Sequence, residues 1–88
     1  MSHENETLRW PTNLDHAAIV GRLVEVRTMA AEAGLADLAR RFADVENMSA
    51  AQIGAGVVAA LTWIQDQPEY PAITTQLAMV AMNLKNLK

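Results

Sequence analysis

The chain has 88 residues, enough for one domain and too few for two. Its net charge of −3, with seven scattered Lys and Arg residues, argues against a nucleic-acid binder, and the lack of cysteine excludes disulfides and cysteine-based zinc sites. Hydrophobic residues make up 51% and aromatic residues 5%, so the apolar content is mostly aliphatic and favours an all-α fold.

The first eleven residues predict a flexible N-terminal arm, followed by a single helical domain over residues 12–88. The arm has no helical period, and Pro11 disfavours α geometry at the residue before it. That residue, Trp10, is the one large apolar group of the arm, and we expect it to pack on the domain. The polar, acidic start is unlike a signal peptide, which leads us to expect a cytoplasmic protein.

The first predicted helix begins near residue 12 or 13 and runs to about residue 33. Thr12 and Asp15 have the spacing of a capping box, and Gly34 is placed to take the left-handed conformation that ends a helix. One stripe carries apolar residues at helical spacing: Ile19, Leu23, Val26, Ala30 and Ala33.

The second predicted helix covers residues 35–46. Its outer face carries two i,i+4 pairs of opposite charge, Asp37 with Arg41 and Arg40 with Asp44. Its inner face is predicted from the apolar residues Leu35, Leu38, Phe42 and Val45.

Two further helices complete a predicted four-helix up-down bundle. Ser49 and Gln52 form a capping-box match, which predicts a third helix over residues 49–65. Pro68 and Pro71 then break the helical pattern, and Pro71 suits the first turn of a fourth helix over residues 71–87.

Charge is distributed very unevenly along the chain. Thirteen of the 17 charged residues lie at or before Glu46, and between Asn47 and Leu84 only Asp66 and Glu69 are charged. The third and fourth helices therefore lack the charged outer face that a solitary bundle shows in water. We expect a protein-interaction module that forms a homo-oligomer, a dimer, and acts as an accessory or regulatory subunit, with another protein as a further partner. The expected contact residues are Val58, Trp63, Tyr70, Met79 and Met82.

Two other interpretations of the uncharged helices stay open. The exposed side of the third helix could be mostly alanine, which a monomer tolerates in contact with water. A membrane span is disfavoured, because the apolar run between Asn47 and Gln65 is interrupted by glycine and is shorter than about 20 residues.

Chemical sites are weakly indicated, and we expect no enzyme activity, cofactor or metal site. His16 is the basis of the alternative function, a histidine phosphotransfer or small regulatory domain, although it lies at the start of a helix rather than in the middle and no lysine follows it closely. His3 near the amino terminus could chelate copper or nickel, but a disordered tail is the expectation. A third alternative is a small enzyme subunit that needs a partner's residues.

Overall fold

The computed structural model describes residues 13–87, and this range is all-α, without a strand, as predicted. The predicted arm, with His3 and Trp10, lies outside the described residues. The described range contains four α-helices: α1 His16–Glu32, α2 Ala36–Arg41, α3 Ala50–Ile64 and α4 Pro71–Met82. It also contains two 3₁₀ turns, Val45–Asn47 and Leu84–Asn86.

Helix α1 begins later than the sequence pattern predicted. Asp15, rather than Thr12, is the N-cap: its carboxylate accepts the backbone N–H of Ala18 at 2.9 Å, so this one side chain satisfies a first-turn donor. At the other end the prediction is confirmed, since Gly34 has a φ of 81° and lets the chain turn directly into the next segment.

Helix α2 is much shorter than predicted. It ends at Arg41, and neither i,i+4 pair forms; Asp37 instead pairs with Arg40, three positions away. The cause is an interaction from α1, because the Arg27 guanidinium donates to the backbone carbonyls of Phe42 at 3.2 Å and of Ala43 at 3.0 Å. These carbonyls thus find a hydrogen-bond donor outside a continued helix.

The capping box predicted for α3 is confirmed. The backbone N–H of Gln52 donates to the Ser49 hydroxyl at 3.2 Å, and the Ser49 N–H donates to the Gln52 side-chain oxygen at 2.8 Å. Pro71 opens α4, as predicted, but α4 ends at Met82 rather than near residue 87. The prediction of one continuous fourth helix is therefore wrong at its end.

The core lies where α1 packs against α2 and α4, and where α4 packs against α3. The Phe42 ring packs beside Gly56 of α3, where an added methyl group would lie 3.4 Å from a ring carbon, an ordinary van der Waals distance. Burial of apolar side chains in this core is the main contribution to the stability of the fold. The fully buried side chains include Ile19, Leu23, Val26, Phe42, Val45, Ile53, Val57, Ile64, Leu77 and Val80.

A buried polar cluster joins the two ends of the described chain. Asn83, fully buried, accepts the backbone N–H of Leu14 at 3.1 Å and donates to the Met79 carbonyl at 2.8 Å. Asn86 donates to the Leu14 carbonyl at 2.8 Å. The segment before α1 is thus held against the end of α4 by hydrogen bonds to the backbone N–H and the backbone carbonyl of Leu14.

Among residues 13–87, no helix combines the length and the apolarity needed to cross a membrane.

Candidate interaction surface

Helix α3 has a buried side and an exposed side, so it is not buried all round. Its buried side faces the core through Ile53, Val57, Ala60 and Ile64. The rest of the helix surface is in contact with solvent and carries no charged residue. The exposed residues of α3 are Ala51, Gln52, Ala55, Val58, Ala59, Thr62 and Trp63.

Helix α4 shows the same arrangement. Ile73, Leu77 and Val80 face the core, while Thr75 and Met82 are exposed on the outer side. Since α3 packs against α4, these two exposed sides belong to neighbouring helices. We refer to Ala55, Val58, Thr62, Thr75 and Met82 together as the uncharged face.

The uncharged face contains two of the three large hydrophobic side chains that are exposed among residues 13–87. Val58 is 57% exposed and Met82 is 47% exposed, and neither α3 nor α4 contains a charged residue. Its polar groups are the hydroxyls of Thr62 and Thr75, each of which both donates and accepts a hydrogen bond. A surface of this chemistry resembles the central part of a protein interface, where charged residues are depleted.

The five predicted contact residues do not share one face. Val58 and Met82 point outward on the uncharged face. Met79 and Tyr70 are half-buried and already pack in part within the chain. Trp63 is 44% exposed, but it lies five residues after Val58, a rotation of about 140° around the helix axis. The structure therefore separates Trp63 from the uncharged face.

Trp63 instead borders a cleft between α3 and α2 that the sequence pattern did not indicate. The cleft has a volume of about 160 Å³ and is lined by Asp37, Leu38, Arg41, Ala60 and Trp63. It is formed by residues of two different helices, so periodicity within one helix gave no signal for it.

A second unpredicted feature is the ion pair between Arg27 of α1 and Glu46 of the first 3₁₀ turn. The two guanidinium nitrogens lie 3.2 Å from the two carboxylate oxygens. Hydrogen bonding from Arg27 is the main cause that lowers the pKa of Glu46, although Glu46 is exposed. The spacing of 19 residues hides this pair from any local pattern.

The residues weighed for chemistry are dispersed. His16 is half-buried at the first position of α1, beside the capping carboxylate of Asp15. Asp66 and Glu69 are exposed in the connection between α3 and α4. Among residues 13–87, no group of three or more His, Asp or Glu side chains is arranged to hold a metal ion. The phosphotransfer and enzyme-subunit alternatives stay predictions.

Comparisons of the chain with known protein families, with curated proteins and with solved structures gave no match. The chemistry of the chain's own surface is therefore the basis on which a function can be assigned.

Proposed function

We propose that the chain is a protein-interaction module that self-associates, as a dimer, through the uncharged face. The observation that carries this proposal is the exposure of Val58 and Met82 on two adjoining helices without any charged residue. Large apolar side chains exposed on neighbouring helices without charge are typical of interaction sites.

The chemistry of the face favours a second copy of the chain as the partner. In a twofold dimer, each surface meets itself, so a face with net charge would repel its copy. The uncharged face has no such repulsion. Its threonine hydroxyls can pair with their own copies, because a hydroxyl is both a donor and an acceptor. A charged partner would leave its own charges facing apolar side chains, which costs free energy.

The same proposal includes two finer points. The up-down order of the helices is supported by the short connection over residues 65–70, which favours antiparallel packing of α3 and α4. The second is a role as a cytoplasmic accessory or regulatory subunit, which is proposed together with the dimer and depends on it.

Sedimentation equilibrium over a range of about 5 to 500 µM protein tests the dimer by mass action. We expect the mass to rise from monomer to dimer across this range. Val58→Glu and Met82→Glu should weaken the dimer at least about tenfold, because each buries a carboxylate against its copy. Met79 is a poorer test position, because it is half-buried and its carbonyl accepts Asn83.

Ala17→Glu is the matched control, since it adds the same charge to an exposed position of α1, outside the uncharged face. It should leave the dissociation constant unchanged. A chain that stays monomeric at the highest concentration, or that dimerises equally well with glutamate at position 58, contradicts the proposal. Circular dichroism establishes that each variant is folded.

A further inference from the structure

The partly exposed indole of Trp63 is left unexplained by a dimer through the uncharged face. It lies about 140° from Val58 around α3, where it lines a cleft together with residues of α2. A second copy on the uncharged face would therefore leave the Trp63 cleft open. The exposure of Trp63 therefore needs an explanation other than the dimer.

The cleft combines an apolar base with an aromatic wall. Leu38 and Ala60, both buried, line it from α2 and α3, and Trp63 lines it from the end of α3. A neighbouring hollow of about 260 Å³ continues along residues 34–38 and shares Leu38 and Trp63. Together they form a groove that can take an apolar side chain with flanking backbone.

The charges at the rim of the cleft are not balanced. Asp37 pairs with Arg40, so these two charges offset each other. Arg41 is exposed and forms no ion pair with any residue of the range 13–87. The rim therefore carries one uncompensated positive charge, on a chain whose net charge is −3. A guanidinium fits a carboxylate with two parallel hydrogen bonds.

We propose that the Trp63 cleft binds an acidic peptide segment of a different protein. An apolar side chain of the peptide packs on Trp63 and Leu38, and a neighbouring carboxylate pairs with Arg41. Tryptophan and arginine are the residue types most enriched among the energetically dominant positions of interfaces. This inference concerns a separate site, so it stands whether or not the uncharged face forms a dimer.

Selection of short random peptides displayed on phage, with the full chain immobilised, tests the proposal. We expect the enriched peptides to carry an apolar residue next to Asp or Glu. Enrichment should be lost on Arg41→Glu and on Trp63→Ala. No enrichment, or enriched peptides without acidic residues, would overturn the proposal.

Titration of a synthetic selected peptide gives the quantitative test. Trp10→Phe leaves Trp63 as the only tryptophan, so its emission reports binding directly. Arg41→Glu should weaken binding about tenfold, because it replaces attraction with repulsion. Arg41→Lys should lose less, because it keeps the charge and loses only the paired hydrogen bonds.

Lys85→Glu is the matched control, since Lys85 is an exposed cation beyond the far end of α4. It should leave peptide affinity unchanged; an equal loss would show that net charge, not the cleft, governs binding. Trp63→Phe keeps an aromatic wall if Trp63→Ala fails to fold. If Arg41→Glu abolishes self-association instead of peptide binding, the occupant is a second copy and the proposal is wrong.

Discussion

The guanidinium of Arg27 and the carboxylate of Glu46 face each other in a paired arrangement, with both N–O distances at 3.2 Å. The same guanidinium also donates hydrogen bonds to the backbone carbonyls of Phe42 and Ala43. Arg27 thus connects the middle of α1 to the segment that follows α2. Substitution of Arg27 and substitution of Glu46 should therefore have different effects on stability.

Arg27→Met should lower the free energy of unfolding by about 2 kcal/mol, since hydrogen bonds from a charged group to partly buried carbonyls are lost. The methionine side chain retains much of the apolar contact, so the loss reports the polar interactions. Urea unfolding followed by circular dichroism measures it. Arg22→Met is the control, because Arg22 makes a single long contact of 3.4 Å to Gln76 and should cost much less.

Glu46→Gln should remove a pH-dependent part of the stability. Hydrogen bonding from Arg27 lowers the pKa of Glu46 below its ordinary value near 4.5. A lowered pKa in the folded state stabilises the fold above the unfolded pKa, and this stabilisation is lost as the pH falls through the folded pKa. The parent chain should therefore be more stable than the variant at pH 7, and the difference should vanish in acid. Thermal unfolding across that range measures it, and a difference independent of pH would contradict the assignment.

Asn83→Ala should destabilise the fold by about 2–4 kcal/mol, because it leaves the Leu14 N–H and the Met79 carbonyl without their present partner. Asn47→Ala provides the comparison, since Asn47 is exposed and bonds only the nearby Asp44 side chain. That change should cost less than about 0.5 kcal/mol. Denaturant unfolding of both variants tests the ranking, and equal losses would count against a structural role for the buried amide.

Two glycine substitutions should act in opposite directions. Gly21→Ala should stabilise α1 by about 0.5–1 kcal/mol, because alanine is the better helix former and the added methyl group meets nothing within 4 Å. Gly34→Ala should destabilise the fold by about 1–2 kcal/mol, since its φ of 81° is unfavourable for any residue with a Cβ atom. Thermal unfolding of the two variants side by side provides the measurement.

Salt should distinguish the two proposed interactions. A dimer formed by the uncharged face should change its dissociation constant by less than about twofold between low and high salt, because no ion pair is screened. Binding of an acidic peptide to the Trp63 cleft should weaken clearly over the same range. Sedimentation and fluorescence titration measure the two constants. A dimer that dissociates in high salt would place its interface on charged residues instead.

The sequence patterns predicted local signals well and tertiary effects poorly. The capping box of Ser49, the left-handed turn at Gly34 and the start of α4 at Pro71 are confirmed, because each depends on residues within one turn. The extent of α2 was predicted wrongly, because the carbonyls of Phe42 and Ala43 accept hydrogen bonds from Arg27, which lies 15 and 16 residues earlier in the sequence. Phe42 and Val45 are both buried, as their apolar spacing predicted, but they lie beyond the end of the helix.

The end of α4 has a comparable cause. The Asn83 side chain donates to the Met79 carbonyl, the acceptor that a continued helix would reserve for the Asn83 backbone N–H. That N–H bonds to the Val80 carbonyl instead, in the tighter 3₁₀ pattern. Of the candidate contact residues, periodicity placed Val58 and Met82 outside correctly in the folded chain. It could not reveal that Trp63 faces α2, since helix packing order is not encoded in a single stripe.

The hydrogen bonds from Asn83 and Asn86 to Leu14 have a topological consequence. They close the described chain into a ring, so that the polypeptide enters and leaves it at the same edge. A ring can be opened elsewhere: a circularly permuted chain, with its original ends joined by a short linker and new ends in the exposed segment at residues 65–69, would preserve every helix. The chain therefore enters the described unit at residue 13 beside the point at which it leaves after Asn86.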